Sequence, residues 1–175
     1  MTKTYDNAIR TGKEFLGQVV TNVYTGKTTY SVATGAGGQT GTYLAVLDVS
    51  ITPTASNSKI RVELNLSYEV SENLVLRLYR SVGGVETEIV RNDDTNYWSG
   101  WGLVPYDANH SSTGATTHYI YVDSPNTTST ITYRFAAQST GASRTFALNR
   151  TLNSTGQSNY ENAVSQAILT EILVV

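Results

Sequence analysis

Thr-Ile-Thr-Tyr-Arg-Phe-Ala-Ala-Gln (130–138) and Ala-Ile-Leu-Thr-Glu-Ile-Leu-Val-Val (167–175) are the two segments that decide the fold of this chain. In the first, Ile131, Tyr133 and Phe135 alternate with Thr132 and Arg134. That period of two places one face of a strand in a core and the other in water. The second segment behaves differently, because only Thr170 and Glu171 interrupt its apolar run. It is too short to span a bilayer and too continuous for a half-exposed strand. A strand that is apolar on both faces needs cover on both. With little helix available to lie over a sheet, that cover is a second sheet on one side and another subunit on the other. The expectation is a β-sandwich whose C-terminal strand builds an oligomer, with Ile168, Leu169, Ile172 and Val174 as interface candidates.

Composition supports the same class. Thr, Ser and Asn together make up nearly a third of the 175 residues, while charged residues are only 15%. Thr packs well on a pleated surface, Ser and Asn bond to their own backbone in turns, and all three are poor helix formers. The chain contains no cysteine, which excludes disulfides and thiolate chemistry. A net charge of −2 without a basic run gives no basis for binding a phosphate backbone. The first residues carry no apolar h-region, and no window reaches the roughly eighteen apolar residues of a membrane span, so folding in a cytoplasm is expected.

Working outward along the chain, residues 1–17 read as an N-terminal arm or short helix, with Ala8, Ile9, Phe15 and Leu16 as its apolar positions, ahead of a sandwich domain over 18–175. Gln18–Tyr24 and Tyr30–Ala33 are short strands. Gly35–Gly41 is glycine-rich but lacks the Lys-Ser or Lys-Thr ending of a phosphate loop, so it reads as a plain loop. Thr42–Ile51 is expected to be one continuous central strand, ended by Pro53. Lys59–Val70 alternates most cleanly, with Ile60, Val62, Leu64, Leu66 and Tyr68 on one face. Val82-Gly83-Gly84-Val85 is a two-residue hairpin turn between strands on either side. From Arg91 to Thr117 the alternation stops; it resumes at His118–Asp123, where Tyr119 and Tyr121 stand opposite Ile120 and Val122. Eight to ten strands with frequent turns and no long helix amount to an all-β, antiparallel jelly-roll β-sandwich.

A resemblance runs through the same segments. Asp-Ser-Pro-Asn-Thr-Thr (123–128), Ile-Thr-Tyr-Arg-Phe (131–135), Phe-Ala-Leu-Asn-Arg (146–150) and the Leu-Thr-Glu-Ile ending follow Ile-Thr-Pro-Thr-Ala-Ser-Asn-Ser-Lys-Ile (51–60) and Leu-Arg-Leu-Tyr-Arg (76–80). In that order they resemble the jelly-roll domains of tailed-phage virion proteins, notably from cyanobacterial and marine hosts, which are similar to tumour-necrosis-factor and C1q heads. The resemblance covers about Thr42–Val175 and implies a homotrimeric structural protein on the outside of a virion. On that reading the chain is a capsid decoration or cement protein, its partners are itself and the major capsid protein, and the tail residues line the trimer.

Catalytic chemistry finds little support. His110 lies near Asp107, Ser111 and Ser112 in sequence, yet no Gly-x-Ser-x-Gly elbow presents a nucleophile, and both His110 and His118 read as solvated. Asn92, Asp93, Asp94 and Asn96 fall short of an EF-hand loop and read as an Asx-rich turn. No cofactor or metal is expected. The remaining feature is aromatic: Tyr97, Trp98, Trp101 and Tyr106 gather both tryptophans of the chain in its irregular segment. They either stack on the sugar rings of a host glycan, as a tail-fibre tip or receptor-binding protein would require, or plug one end of the sandwich or pack across the subunit interface.

Overall fold

The computed structural model of the chain describes residues 14–34, 41–91, 99–106, 112–139, 141–153 and 160–174. Twelve strands lie within them: β1 Glu14–Tyr24, β2 Thr28–Val32, β3 Thr42–Tyr43, β4 Val49–Ile51, β5 Lys59–Val70, β6 Leu74–Val82, β7 Val85–Val90, β8 Gly102–Val104, β9 Ala115–Asp123, β10 Ile131–Ser139, β11 Arg144–Leu148 and β12 Ser165–Val174. Among the described residues no helix is long and apolar enough to cross a membrane.

Strand β5 is the spine of the first sheet, because it is paired along both edges. One edge carries β12, with Asn65 opposite Gln166 and Lys59 opposite Ile172, and then β11, with Tyr68 opposite Leu148. The other edge carries β9, from Ile60 opposite Asp123 to Tyr68 opposite Ala115. Beyond β12 lies β1, and beyond β11 lies β2. In the second sheet β10 is central. It pairs β6 along its whole length on one edge, and β3 and β4 on the other. Strands β7 and β8 both lie against the far edge of β6. The order β1-β12-β5-β9 facing β4-β10-β6-β7, with the chain passing from sheet to sheet at most connections, is a jelly roll built from antiparallel pairs.

The core between the sheets follows the alternation. Ile60, Val62, Leu64, Leu66 and Tyr68 of β5 are buried against Leu74, Leu76 and Leu78 of β6 and Ile131, Tyr133 and Phe135 of β10. Each such aliphatic side chain withdrawn from water contributes about 1.5–3 kcal/mol. The β6–β7 hairpin turns through Gly83 and Gly84 at φ 58° and 84°, both in the left-handed region that a two-residue turn of this hand requires.

Two expectations need correction. Thr42–Ile51 is not one strand: β3 and β4 are separated by a 3-10 turn at Ala45–Leu47. The three-residue period of that turn sends Leu44 and Leu47 both into the core, and the Asn22 amide donates to the carbonyls of Val46 and Asp48, which holds the turn against β1. The strands therefore number twelve among the described residues, since this run is split and β8 forms inside the segment that read as irregular. Residues 1–13 of the expected N-terminal arm lie outside the described residues, and Glu14–Gly17 are already the start of β1.

Strand β1 also carries a bulge. Leu16 pairs Ile172 and Val19 pairs Thr170, so Gly17 and Gln18 together face Glu171. A Cβ on Gly17 would stand 3.1 Å from a Glu171 carboxylate oxygen, which is why the smallest residue sits there. The Glu171 carboxylate is fully buried and accepts from the Thr54 amide at 2.7 Å, the Thr54 hydroxyl at 2.9 Å and the Gln18 amide at 3.0 Å. Burial by itself would raise its pKa. The Thr54 and Gln18 donors outweigh that and hold it below the usual 4.5. The ionised carboxylate thus stitches β12 to β1 and to the β4–β5 connection.

Because the folded pKa is depressed, Glu171 contributes stability that is complete above about 4.5 and is lost as pH falls through the lower folded value. We expect Glu171→Ala to cost about 1–3 kcal/mol in denaturant melts at neutral pH, since its buried donors lose their acceptor. Glu171→Gln should flatten the acid limb of the stability curve, and an unchanged limb would contradict the assignment.

Candidate functional site

The outer faces of β1, β12, β5 and β9 form one continuous surface, and register fixes which residues share a row. Val19, Thr170, Arg61 and Val122 line up across the four strands, followed by Thr21, Ile168, Glu63 and Ile120, and then by Val23, Gln166, Asn65 and His118. Leu16, Ile172 and Lys59 begin the same face at its other end. Five aliphatic side chains stand well out of the surface: Leu16 is 73% exposed, Val19 57%, Val23 51%, Ile120 48% and Val122 45%. Ile168, Ile172 and Val174 of β12 lie half-buried between them.

Two apolar strips therefore flank a charged stripe. Strands β1 and β12 supply one strip and β9 the other, while β5 presents Arg61 and Glu63 between them, 3.0 Å apart. Lys59 is paired with Glu14 on the same face, and the His118 ring nitrogen is 3.6 Å from Glu63. Positive and negative groups balance. Four strands about 4.8 Å apart and four rows about 6.8 Å apart cover on the order of 500 Å². The two aliphatic strips make up part of that area and the charged stripe between them the rest.

Of the tail residues singled out by sequence, Ile168, Ile172 and Val174 are on this face. Leu169 is not: it points the other way, is fully buried, and belongs to the sandwich core. Alternation within β12 sends 167, 169 and 171 inward, so a candidate set containing adjacent residues had to split between the faces. The sequence reading missed Leu16, Val19 and Val23 on β1, and Ile120 and Val122 on β9. The signal for β9 was present, since Tyr119 and Tyr121 alternate with Ile120 and Val122 and make that strand apolar on both faces, as in β12.

The aromatic candidates separate. Tyr97 and Trp98 lie outside the described residues, as do Asn92, Asp93, Asp94 and Asn96. Trp101 packs inward, stacked on Phe135 at 6.1 Å and tilted against Tyr119 at 5.3 Å, and its indole N–H reaches the Ile120 carbonyl at 3.4 Å. Two tyrosines of β9 make similar reaches. The Tyr119 hydroxyl donates to the Leu103 carbonyl at 2.7 Å and Tyr121 to Ile89 at 3.2 Å. These bonds close the edge of the sandwich where β9 passes β7 and β8. Burial pushes the Tyr119 phenol up to about 12, so it remains a donor across the physiological range. Asp123 at the end of β9 completes the seam, accepting from Arg80 at 3.0 Å and Tyr133 at 2.8 Å. Tyr106 alone of the described candidates is exposed.

Fold and surface together define an antiparallel jelly-roll β-sandwich with an aliphatic outer sheet face. No protein-family model and no curated protein matches the chain. Among solved structures, the Gx strain of infectious bursal disease virus is similar over 90% of this chain and 40% of that one, with 14% identity and a TM-score of 0.42. The T13 particle of infectious bursal disease virus gives 11% identity, coverage of 90% and 39%, and a TM-score of 0.42. The VP2 subviral particle of the same virus gives 10% identity, coverage of 93% and 42%, and a TM-score of 0.39. The chain thus spans about 40% of the length of these solved chains. Likeness at this level does not extend to activity or partners.

We expect Trp101→Ala to destabilise the fold by about 3 kcal/mol in chemical denaturation, the low end of the scale for removing a large packed aromatic, since the ring is half-buried. Tyr106→Ala, at an exposed position, should stay within about 0.5 kcal/mol of the parent. Equal effects would place Trp101 outside the core.

Proposed function

We propose that the chain is a non-enzymatic structural protein of a virus particle, a homotrimer that decorates or cements the outer head surface. The observation that carries this reading is the outer face of the β1-β12-β5-β9 sheet, where exposed aliphatic strips flank a balanced charged stripe. A second copy of the chain fits such a face better than a partner of one charge, because the face carries Lys59 and Arg61 as well as Glu14 and Glu63. A standard interface buries about 800 Å² per partner, of which this face supplies the greater part. The resemblance to tailed-phage virion jelly rolls supports the trimer, the particle and the major capsid protein as further partner. The place of action is then the virion, assembled in a host cytoplasm. Receptor recognition as a tail-fibre tip is the alternative, and of the described aromatic candidates only Tyr106 stands exposed for it.

Sedimentation of the purified chain at micromolar concentration should give a trimer. Val19→Asp combined with Ile120→Asp should give monomers whose thermal unfolding remains cooperative, because neither side chain is in the core. A parent protein that sediments as a monomer would overturn the trimeric reading. Cryo-electron microscopy of the particle then separates head from tail: density on three-fold or pseudo-three-fold positions of the head is expected, and density confined to the tail would replace decoration by receptor binding.

A further inference from the structure

The end of the sandwich where β5 finishes and β9 begins holds two adjoining hollows. One is an open hollow of about 380 Å³ lined by Ser67, Thr113, Thr116, Asn149, Arg150 and Glu161, with Asn162 beside them. The other encloses about 330 Å³ beside Glu69, Pro105 and Tyr106. Tyr68, Thr113 and Ala115 contribute to both, so a single turn of chain divides them. Both volumes fall in the range of small-ligand sites.

The floor is rigid and polar. Asn149 has a left-handed backbone at φ 60°, and its side-chain amide donates to the carbonyls of Tyr24 at 2.7 Å and Gly26 at 2.9 Å. Its carbonyl oxygen accepts from Ser165 at 2.6 Å, and the Ser165 hydroxyl in turn accepts from the Ser67 amide at 2.9 Å. Beneath the dividing turn, the buried Glu69 carboxylate accepts from the amides of Thr113, at 3.3 Å, and of Leu152. Buried side chains on three segments therefore hold the cleft in shape before any ligand arrives.

We propose that this cleft binds a neutral oligosaccharide, one ring in each hollow. Arg150 is offset by Glu161 and Glu69, so the lining has no surplus of positive charge to select a phosphate or carboxylate. Hydroxyls and amides of Thr113, Thr116 and Asn162 both donate and accept, which matches the mixed donors and acceptors of sugar hydroxyls. Pro105 and the exposed Tyr106 offer an apolar platform for the C–H face of a ring in the second hollow. Two hollows sharing one wall call for at least two linked rings. This goes beyond the assembly role and does not depend on it, since the cleft and the aliphatic sheet face use different residues.

The test is titration of the 175-residue chain with maltotriose, cellotriose, chitotriose and bacterial O-antigen polysaccharide at millimolar concentration, followed by calorimetry and amide chemical shifts. Saturable binding by at least one probe is expected, weakened at least tenfold by Tyr106→Ala and by Thr113→Arg, which fills the divide between the hollows. Both residues are exposed, and matched thermal melts establish that the variants are folded. Absence of saturable binding by every probe overturns the proposal, as does binding that both variants retain in full. Sedimentation in the same experiments reads the oligomeric state separately, so failure here is distinguishable from failure of the assembly role.

Discussion

Strand β5 is hydrogen-bonded along both edges, to β12 and β11 on one side and to β9 on the other, and the rest of the molecule depends on that double pairing. Its partners are distant in sequence, so closing these pairs orders long stretches of chain before any contact repays the entropy lost. The compensation comes from alternation. Once β5 is paired, Ile60, Val62, Leu64, Leu66 and Tyr68 all face one way, and the second sheet has a continuous apolar surface to cover. A shift of one residue in register would turn that row to solvent. The fold is specified less by local propensity than by the single register that buries this row and the matching rows of β6 and β10 together.

A sandwich has open edges, and here side chains close them. At one corner Gln18 and Asn22 of β1 donate to carbonyls of the β3–β5 region, at Thr52, Val46 and Asp48. At the opposite corner Tyr119, Tyr121 and Trp101 do the same between β9 and the strands of the other sheet. These bonds satisfy edge carbonyls that would otherwise be available to a strand of another chain. They also account for the placement of large aromatics. A tyrosine has an apolar body for the core and a hydroxyl that reaches across the seam, so it suits an inward position beside an edge.

Away from these two corners, one outer sheet face carries several exposed aliphatic side chains. The aliphatic strips and the paired charges on the outside of β1, β12, β5 and β9 share their strands with the core, one residue out of register from it. The core and the surface proposed for assembly therefore share one backbone but use opposite sides of it. Glu171 shows how close the two come, as its carboxylate is buried among donors while its neighbours Thr170 and Ile172 belong to the outer face.

Sequence by itself determined the class of fold, the strong strands and the hairpin at Gly83 and Gly84, because alternation and glycine at positive φ are local properties of the chain. It also marked β12 as apolar on both sides. It did not separate Leu169 from Ile168, since which of two adjacent residues faces the core is set by pairing with β5 and β1. Nor did it show that Thr42–Ile51 breaks: burial of both Leu44 and Leu47 and the contact of Asn22 with the turn, twenty-odd residues away, favour a 3-10 turn over a continuous strand. Rows made of β1, β12, β5 and β9 exist only after long-range pairing, and so do the hollows between the ends of β5 and β11 and the start of β9. Tertiary structure decided these because each joins residues whose proximity has no local cause.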